Sequence, residues 1–343
     1  AIGNLKQPVH AWGEIYTGIS AKDYMDGTSN FYGVHSVTLY VDSVQVFNST
    51  TDKVLPDENR MINGFTDYEE LTRTRRLIMR SYKLPGNRLR LLHPNENRGA
   101  VTIDEERDYH FRYVLEDNFG NRRTYQFIVK GKRQDIPEYK PEANEMLYWN
   151  RTNVIQKPGM ELVVPRYYVY EDVPLRTDMR GDSSHIAFDY ILDAGRTPIH
   201  SYCDLSIGLR HMPVADTTKY YIVQKAGKWR SSMGGKYANG WIKTRVRSLG
   251  TFSVDVDTIA PQITPIGQGG WRTSRNIRFR IKDMESGIGS YKVYIDGKFV
   301  LFGLKKGILV IQNPEKVKKG VSHKLEVTVT DQCGNMTRKE YKF

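Results

Sequence analysis

Hydrophobic and polar residues follow the same order in two distant segments of the chain. In residues 111–121 and 325–335, β-branched and aromatic residues run up to an Asp-x-x-Gly-Asn sequence, and alternation resumes beyond it. This pattern predicts a strand, a tight turn and a second strand, in which the Asp accepts backbone N–H groups and the Gly supplies a positive φ. The predicted turn residues are Asp117, Gly120 and Asn121 in the first copy and Asp331, Gly334 and Asn335 in the second.

A second segment repeats in the same order relative to this hairpin. Residues 33–42 align without gaps on residues 287–296. Two segments in matching order indicate a repeated structural unit rather than a repeated turn. We therefore predict an all-β chain of three immunoglobulin-like β-sandwich units in series, of which the first and third are related by internal repeat.

Breaks in the pattern place the unit boundaries. The predicted units are residues 1–134, 135–256 and 257–343, separated by a polar stretch before Pro137 and by a short Pro-containing joint at 257–263. The third unit has the size of a seven-strand immunoglobulin-like sandwich. Strands are predicted at residues 9–20 and 34–47 in the first unit and at 160–164, 185–192, 220–224, 240–246 and 250–256 in the second. In the third unit, alternation predicts inward side chains at Ile277, Phe279 and Ile281 and outward ones at Arg278, Arg280 and Lys282.

The first unit contains an insertion at residues 52–99. Asp42 and Asp117 are 75 positions apart, whereas the equivalent Asp296 and Asp331 are 35 apart, so the insertion adds about forty residues to the unit. A capping-box pattern, Thr66-x-x-Glu69, predicts one helix over residues 67–74. Strands are predicted at 77–82 and 88–92, and the arginines of the insertion either bind an anion or pair with carboxylates such as Glu69 and Glu70.

Composition favours strands and leaves the partners open. Tyr is frequent, with 22 against 12 Phe, which favours β-structure. No apolar run is long enough to span a membrane, and any secretory signal is expected to have been removed or to lie outside this sequence. The net charge is +12, of which residues 257–343, with 16 Lys+Arg and 8 Asp+Glu, carry +8. No motif for reading nucleic acid accompanies this charge, so nucleic acid is not an expected partner.

Few residues have the spacing that catalysis or metal binding requires. The sequence has no His-x-His, Cys-x-x-Cys, His-Glu-x-x-His or Gly-x-Ser-x-Gly pattern. Soft and imidazole ligands come together only at His200, Cys203 and His211, which are weak metal candidates beside an ordinary strand and turn. The oxygens of the two Asp-x-x-Gly-Asn turns are an alternative calcium site, although shaping the turn explains them equally well. Cys203 and Cys333 are expected to be free, half-buried thiols, with an interdomain disulfide as the alternative.

Aromatic residues are the remaining candidates for recognition. Trp229, Tyr237 and Trp241 surround a Gly-rich loop, where exposed rings would stack on sugar faces. Trp271, with Arg278 and Arg280 nearby in the basic third unit, is a candidate contact for an anionic surface. In each case the alternative is that the Trp belongs to the core of a sandwich.

Several segments resemble a known family. Residues 33–42, 57–63 with 67–68, 84–89 and 109–121 resemble the region that follows the catalytic domain in large lysostaphin-type (LytM-type) bacterial zinc endopeptidases, which cut peptidoglycan. Residues 247–261 look like the joint before the last immunoglobulin-like module of those proteins. The family's zinc-binding residues have no counterpart here, so no catalytic or metal residue carries over and no cofactor is expected.

The resemblance implies a non-catalytic accessory array rather than an enzyme. Its expected partner is a peptidase domain, in the same protein or in a partner chain, and possibly peptidoglycan. The expected location is the bacterial cell envelope, periplasmic or surface-exposed. The alternative function is a binding module for glycan, peptidoglycan or an anionic surface.

Overall fold

The computed structural model describes residues 9–24, 27, 31–138, 140–182 and 184–343. Strands dominate this part of the chain, and its α-helices have at most seven residues. Buried apolar side chains form three large clusters, whose members lie mostly within residues 11–129, 147–254 and 263–329. The all-β fold with several packed sheets is thereby confirmed, while the finer assignment as immunoglobulin-like remains a prediction.

The first unit is built on a six-stranded sheet of order β1-β12-β11-β6-β7-β9, which small two-stranded sheets and the helices accompany. β1 and β12 run parallel, and the other neighbours in this sheet run antiparallel. Its strands are β1 (Val9–Ala11), β2 (Gly13–Ile15), β3 (Gly18–Ile19), β4 (Asp23–Tyr24), β5 (Phe31–Tyr32), β6 (Ser36–Val41), β7 (Val44–Thr50), β8 (Met79–Arg80), β9 (Leu92–Pro94), β10 (Val101–Ile103), β11 (Asp108–Glu116) and β12 (Arg122–Gly131). Its helices are a 3-10 turn (Asn59–Met61), α1 (Ile62–Phe65) and α2 (Tyr68–Thr74).

The second unit is a sandwich of two sheets around one core. The first sheet has the order β13-β16-β17-β23-β19-β20, and the second has the order β14-β15-β18-β22-β21. Its strands are β13 (Glu145–Leu147), β14 (Asn153–Lys157), β15 (Met160–Val164), β16 (Val173–Arg180), β17 (Asp189–Asp193), β18 (Cys203–Gly208), β19 (Tyr220–Ala226), β20 (Trp229–Ser232), β21 (Lys236–Ala238), β22 (Trp241–Val246) and β23 (Gly250–Val256), with a 3-10 turn at Thr217–Lys219.

The third unit is a sandwich of two four-stranded sheets, β24-β25-β29-β28 and β27-β26-β30-β31. The predicted alternation is confirmed, since Ile277, Phe279 and Ile281 are buried whereas Arg280 is exposed. Its elements are β24 (Gln262–Ile266), α3 (Trp271–Ser274), β25 (Arg278–Lys282), β26 (Ile288–Ile295), β27 (Lys298–Phe299), β28 (Phe302–Lys305), β29 (Ile308–Ile311), β30 (Lys324–Asp331) and β31 (Met336–Lys342), with 3-10 turns at Gln268–Gly270 and Pro314–Lys316.

The internal repeat is visible in matching hydrogen bonds. β6 pairs with β11, and β26 pairs with β30, in the same antiparallel sense. The carboxylate of Asp42 accepts the N–H of His110 at 2.9 Å, and that of Asp296 accepts the N–H of Lys324 at 2.9 Å. Since aligned positions make the same contacts, the two units share a common framework.

Several predicted strands differ from the observed ones. Residues 34–47 form a hairpin rather than one strand, because Asp42 and Ser43 adopt positive φ angles of 47° and 69° and reverse the chain. Residues 9–20 are divided among three short strands. Of the strands predicted in the insertion, 77–82 keeps only the two residues of β8, and 88–92 is irregular until β9 begins at Leu92.

The predicted helix of the insertion is present, but its cap is one residue later than expected. The side chain of Asp67, not Thr66, accepts the N–H of Glu70 and caps α2. Glu70 in turn pairs with Arg73 and Arg76. Two interpretations were given for the arginines of the insertion. Arg73 and Arg76 agree with the one in which the arginines pair with neighbouring carboxylates.

Candidate binding surfaces and the joints between units

Tyr170 joins the second unit to the first. Although it lies in the second unit by sequence, its side chain is 3% exposed and belongs to the hydrophobic cluster of the first. Its hydroxyl donates to the carbonyl of Arg60 at 2.9 Å, and its carbonyl accepts the N–H of Gly86 at 2.7 Å. The insertion supplies both partners, so the part of the first unit that the third lacks holds the second unit in place.

Two glycines of the insertion leave room for this ring. A Cβ atom on Gly64 would lie 2.7 Å from a ring carbon of Tyr170, and one on Gly86 would lie 2.9 Å from its backbone oxygen. These distances are shorter than side chains tolerate, so close packing at this joint requires glycine. The sequence alone gives no reason to link Gly86 to Tyr170, which is 84 positions away.

The weak metal candidates serve this joint and the neighbouring core instead. His200 Nδ1 lies 3.1 Å from the Tyr170 hydroxyl, and burial lowers the pKa of its ring. Cys203 is part of the second unit's core, where burial raises the pKa of its thiol to about 12, and His211 is exposed. The three do not converge, so their proximity in sequence was not evidence of a site.

The repeated turn at 331–335 joins the third unit to the second. The Asn335 side-chain amide donates to the carbonyl of Asp257 at 3.0 Å, and the Lys219 ammonium donates to the carbonyl of Cys333 at 3.0 Å. Cys333 is 2% exposed and packs against Tyr221 and Val223. Like Cys203 it is a free thiol, and both are fully rather than half buried.

Three carboxylates meet at this second joint. Oxygens of Asp257, Asp283 and Asp331 lie within 4.8 Å of one another, the only such group of possible metal ligands among the described residues. Oxygen ligands at this spacing suit a hard cation, and one of the three is the turn Asp that sequence analysis named. Burial, with the charges of Asp257 and Asp283, raises the pKa of Asp331.

Neutral donors already occupy much of this cluster. Asp257 accepts the backbone N–H and the hydroxyl of Ser286, at 3.0 and 2.5 Å. Asp331 accepts the N–H groups of Cys333 and Asn335, at 2.9 and 2.8 Å. These hydrogen bonds give each carboxylate a structural role in shaping the joint.

The first copy of the turn makes the same internal bonds without a partner unit. Asp117 accepts the N–H groups of Phe119 and Asn121 at 2.8 and 2.9 Å, and Gly120 has φ +83°. Gly334, in the other copy, has φ +80°. The predicted roles of the turn residues are therefore observed in both copies, although Phe119 at the first turn is 89% exposed.

Trp241 lies flat on an open sheet face. A Cβ atom on Gly208 would lie 3.6 Å from Cδ2 and Cε2 of the indole, so the fused rings cover this glycine. Trp241 alternates with the core residue Ile242 and therefore points away from the core. The other face of the ring is left for contact, since Trp241 is half-buried rather than enclosed.

A row of polar side chains crosses the same face beside the indole. It follows the registers of all five strands, and we call the surface formed by this row and Trp241 the open face. The row consists of Gln156, Glu161, Ser206, Lys243 and Lys236.

The other two aromatic residues of the predicted cluster lie elsewhere. Trp229 is 81% exposed on the edge strand β20 of the opposite sheet. Tyr237 is opposite Ile242 and so points to the core side of its strand. Among described residues no ring contact joins the three, so the Gly-rich loop presents separate aromatic side chains rather than one cluster.

Trp271 belongs to the core, which corrects its assignment to a binding surface. Its side chain is 0% exposed, its ring contacts Phe279 and Phe343, and its indole N–H donates to the carbonyl of Ile266 at 3.0 Å. It is therefore inaccessible to a ligand. Of the basic residues proposed with it, Arg278 is half-buried and Arg280 is exposed.

Comparison with known proteins gives one family match. Residues 144–257, about a third of the chain, match the Zu5-like domain family. No curated protein sequence matches the chain. None of the helices in the described part of the chain has the length and hydrophobicity needed to span a bilayer.

Similar solved structures are distant. A Ca2+-stabilised adhesin with which an Antarctic bacterium binds ice is 11% identical, with a TM-score of 0.18 over 97% of this chain and 94% of that one. A 1.5-MDa bacterial ice-binding adhesin is 9% identical, with a TM-score of 0.15 over 91% and 86%. The Bacteroides ovatus protein SGBP-B, in complex with a mixed-linkage heptasaccharide, is 10% identical, with a TM-score of 0.16 over 95% and 62%. TM-scores this low do not establish a shared fold.

Proposed function

We propose that this chain is a non-catalytic binding protein of the bacterial cell surface, which holds a glycan on the open face of its second unit. The observation that carries the proposal is the Trp241 indole lying flat on Gly208 beside a row of polar side chains. Flat aromatic surfaces stack on sugar rings, and neighbouring polar groups fix orientation. Trp229, exposed at the sheet edge, is a second contact for a long polymer.

Sedimentation with insoluble polysaccharide tests this function. The purified chain is expected to sediment with peptidoglycan or with chitin, a neutral polymer of one of the same sugars. Trp241→Ala should abolish sedimentation, and Trp229→Ala should weaken it. Phe119→Ala is the control because Phe119 is also an exposed aromatic residue, 89% exposed against 81% for Trp229, but lies on the first unit. If the Trp241→Ala variant sediments to the same extent as the unaltered protein, the open face is not the binding surface.

A second candidate function is to position a peptidase domain. The resemblance to lysostaphin-type endopeptidases suggests it. The two joints favour it, because the hydrogen bonds of Tyr170 with Arg60 and of Lys219 with Cys333 tie the second unit to both neighbours. An array of fixed shape would hold an attached domain at a fixed distance from the wall. Adding the chain in trans to a lysostaphin-type peptidase domain should change its rate of peptidoglycan cleavage, and an unchanged rate would count against this function.

A further inference from the structure

A set of arginines stacked on tyrosines continues from the open face toward the joint with the first unit. The guanidinium carbons of Arg245 and Arg247 lie 5.7 and 4.8 Å from the ring centre of Tyr202. Those of Arg88 and Arg166 lie 4.7 and 4.4 Å from the ring centre of Tyr167. We call this group, with its two tyrosines, the arginine strip.

The two halves of the strip are adjacent. The N–H of His200 donates to the carbonyl of Tyr168 at 2.8 Å, which brings residues 166–168 alongside residues 200–202. Arg245 follows Trp241 at even spacing on β22 and therefore points to the same side of the sheet, and Arg247 comes directly after the strand ends at Val246. From Trp241 to Arg245 the distance is about 13 Å at the rise of a β-strand, so the strip extends the open face.

The arginines of the strip have no carboxylate partner among the described residues, and all four are exposed. Asp204 is opposite Arg245 in the strand register but forms no ion pair with it, and Glu161 accepts from Gln156 instead. Arg107 shows the contrasting arrangement, because it also stacks on a tyrosine, at 3.7 Å, but pairs with Asp42 and Glu105. Among the described residues the strip therefore presents guanidinium groups that are not held in ion pairs.

Stacking decides which anion suits this surface. A guanidinium plane held against a tyrosine ring keeps its N–H edges free for two parallel hydrogen bonds to a carboxylate or phosphate. The tyrosine faces are already covered by guanidinium groups, which leaves less ring surface for the base stacking on which single-stranded nucleic acid binding relies. An acidic sugar polymer needs only the N–H edges of the guanidinium groups, to which its carboxylates bind.

We propose that the arginine strip binds the acidic groups of an anionic polysaccharide whose sugar rings stack on Trp241. This inference deepens the proposed function, on which it rests, by naming the ligand class. Its sugar contact lies at one end of the surface and its charge contacts lie at the other.

Homogalacturonan tests the inference because one backbone is obtained with free or with methyl-esterified carboxyl groups. The protein should bind the free-acid form and lose most of its affinity for the esterified form. Replacing Arg166, Arg245 and Arg247 together with Gln should weaken binding to the free acid by roughly tenfold or more, as expected when charge-assisted hydrogen bonds are lost. The charge-matched control replaces Lys305, Lys316 and Lys319, exposed residues of the third unit, with Gln.

The outcomes separate this inference from the proposed function. If the protein binds the free-acid and the esterified polymer with equal affinity and Trp241→Ala loses this binding, the glycan site stands but the arginine strip has no role in it. If the lysine variant loses as much affinity for the free acid as the arginine variant does, the role of the strip is also overturned, because net charge alone then explains binding. An oligothymidine that binds as tightly, through the same arginines, makes nucleic acid the partner. The single variants Arg245→Gln and Arg247→Gln preserve the test if the triple variant does not fold.

Discussion

At the scale of single residues, the same turn sequence shifts the pKa of its aspartate in opposite directions in the two copies. Hydrogen bonds led by that from the Asn121 side chain lower the pKa of Asp117, which is half-buried. Burial, with the charges of Asp257 and Asp283, raises the pKa of Asp331. Asp117 therefore stabilises the fold above its ordinary pKa, whereas the contribution of Asp331 is most favourable below its ordinary pKa and is lost as pH rises through its folded value.

Asp283→Asn should stabilise the second joint at neutral pH. The Asp283 oxygen that accepts the N–H groups of Glu285 and Gly287 has a counterpart in Asn, so only the charge is removed. The pKa of Asp331 should then fall, and the free energy of unfolding at pH 7 should rise by about 1 kcal/mol, the scale of one pKa unit. Thermal unfolding in a chelator, at pH 7 and at pH 4, measures this.

The gain should shrink at pH 4, where protonation of Asp331, whose pKa is raised, already relieves its repulsion by the neighbouring carboxylates. Asp178→Asn is a suitable control, because Asp178 is an exposed carboxylate of β16 that also accepts a backbone N–H group, from Met179 at 2.8 Å. A lower unfolding temperature for Asp283→Asn in chelator at pH 7 would show that the carboxylates do not repel one another.

At the scale of elements, the two copies of the hairpin differ in what surrounds the turn. Asp331→Ala leaves the buried N–H groups of Cys333 and Asn335 without an acceptor, and should cost about 1–3 kcal/mol of unfolding free energy. Asp117→Ala should cost less, because water replaces the lost acceptor. Chemical denaturation of the two variants gives the comparison, and equal losses would mean that docking on the second unit adds nothing.

The sequence predicted correctly those elements that are defined by residues adjacent in the chain. β15 and β23 begin and end at the predicted residues, because apolar alternation stops at both ends. The hairpin at 34–47 was missed because Asp42 and Ser43 form the turn without the glycine that usually marks a positive φ. The burial of Trp271 was one of two alternatives, and the sequence did not decide between them because its ring partner Phe343 is 72 positions away.

The candidate site was predictable only in part for the same reason. Trp241 was named from its aromatic character and its Gly-rich neighbourhood, but Gly208, on which it lies, is placed by the pairing of β18 with β22. The stacking of Arg247 on Tyr202 likewise depends on that register. A single sequence shows which side chains are suited to binding but not which strands bring them together.

At the scale of the whole molecule, the features by which the repeated units differ are the ones that join them. The insertion of the first unit receives Tyr170, and the buried turn of the third unit accepts a hydrogen bond from Lys219 of the second. The second unit is thereby held on both sides, while the outer face of its β14-β15-β18-β22-β21 sheet carries exposed residues. This arrangement supports a single particle of fixed shape rather than units on flexible tethers.

Gly86→Ala should loosen the joint between the first and second units without unfolding either. The new Cβ would lie 2.9 Å from the backbone oxygen of Tyr170, and a backbone atom cannot rotate away as the end of a side chain would. Small-angle scattering of the unaltered protein should fit one rigid shape, and the variant should show a larger radius of gyration and a flexible profile. Gly33→Ala is the control, because a Cβ there would have open space around it. If the variant scatters like the unaltered protein while circular dichroism remains unchanged, the seating of Tyr170 does not fix the arrangement of the units, and the positioning function loses its structural basis.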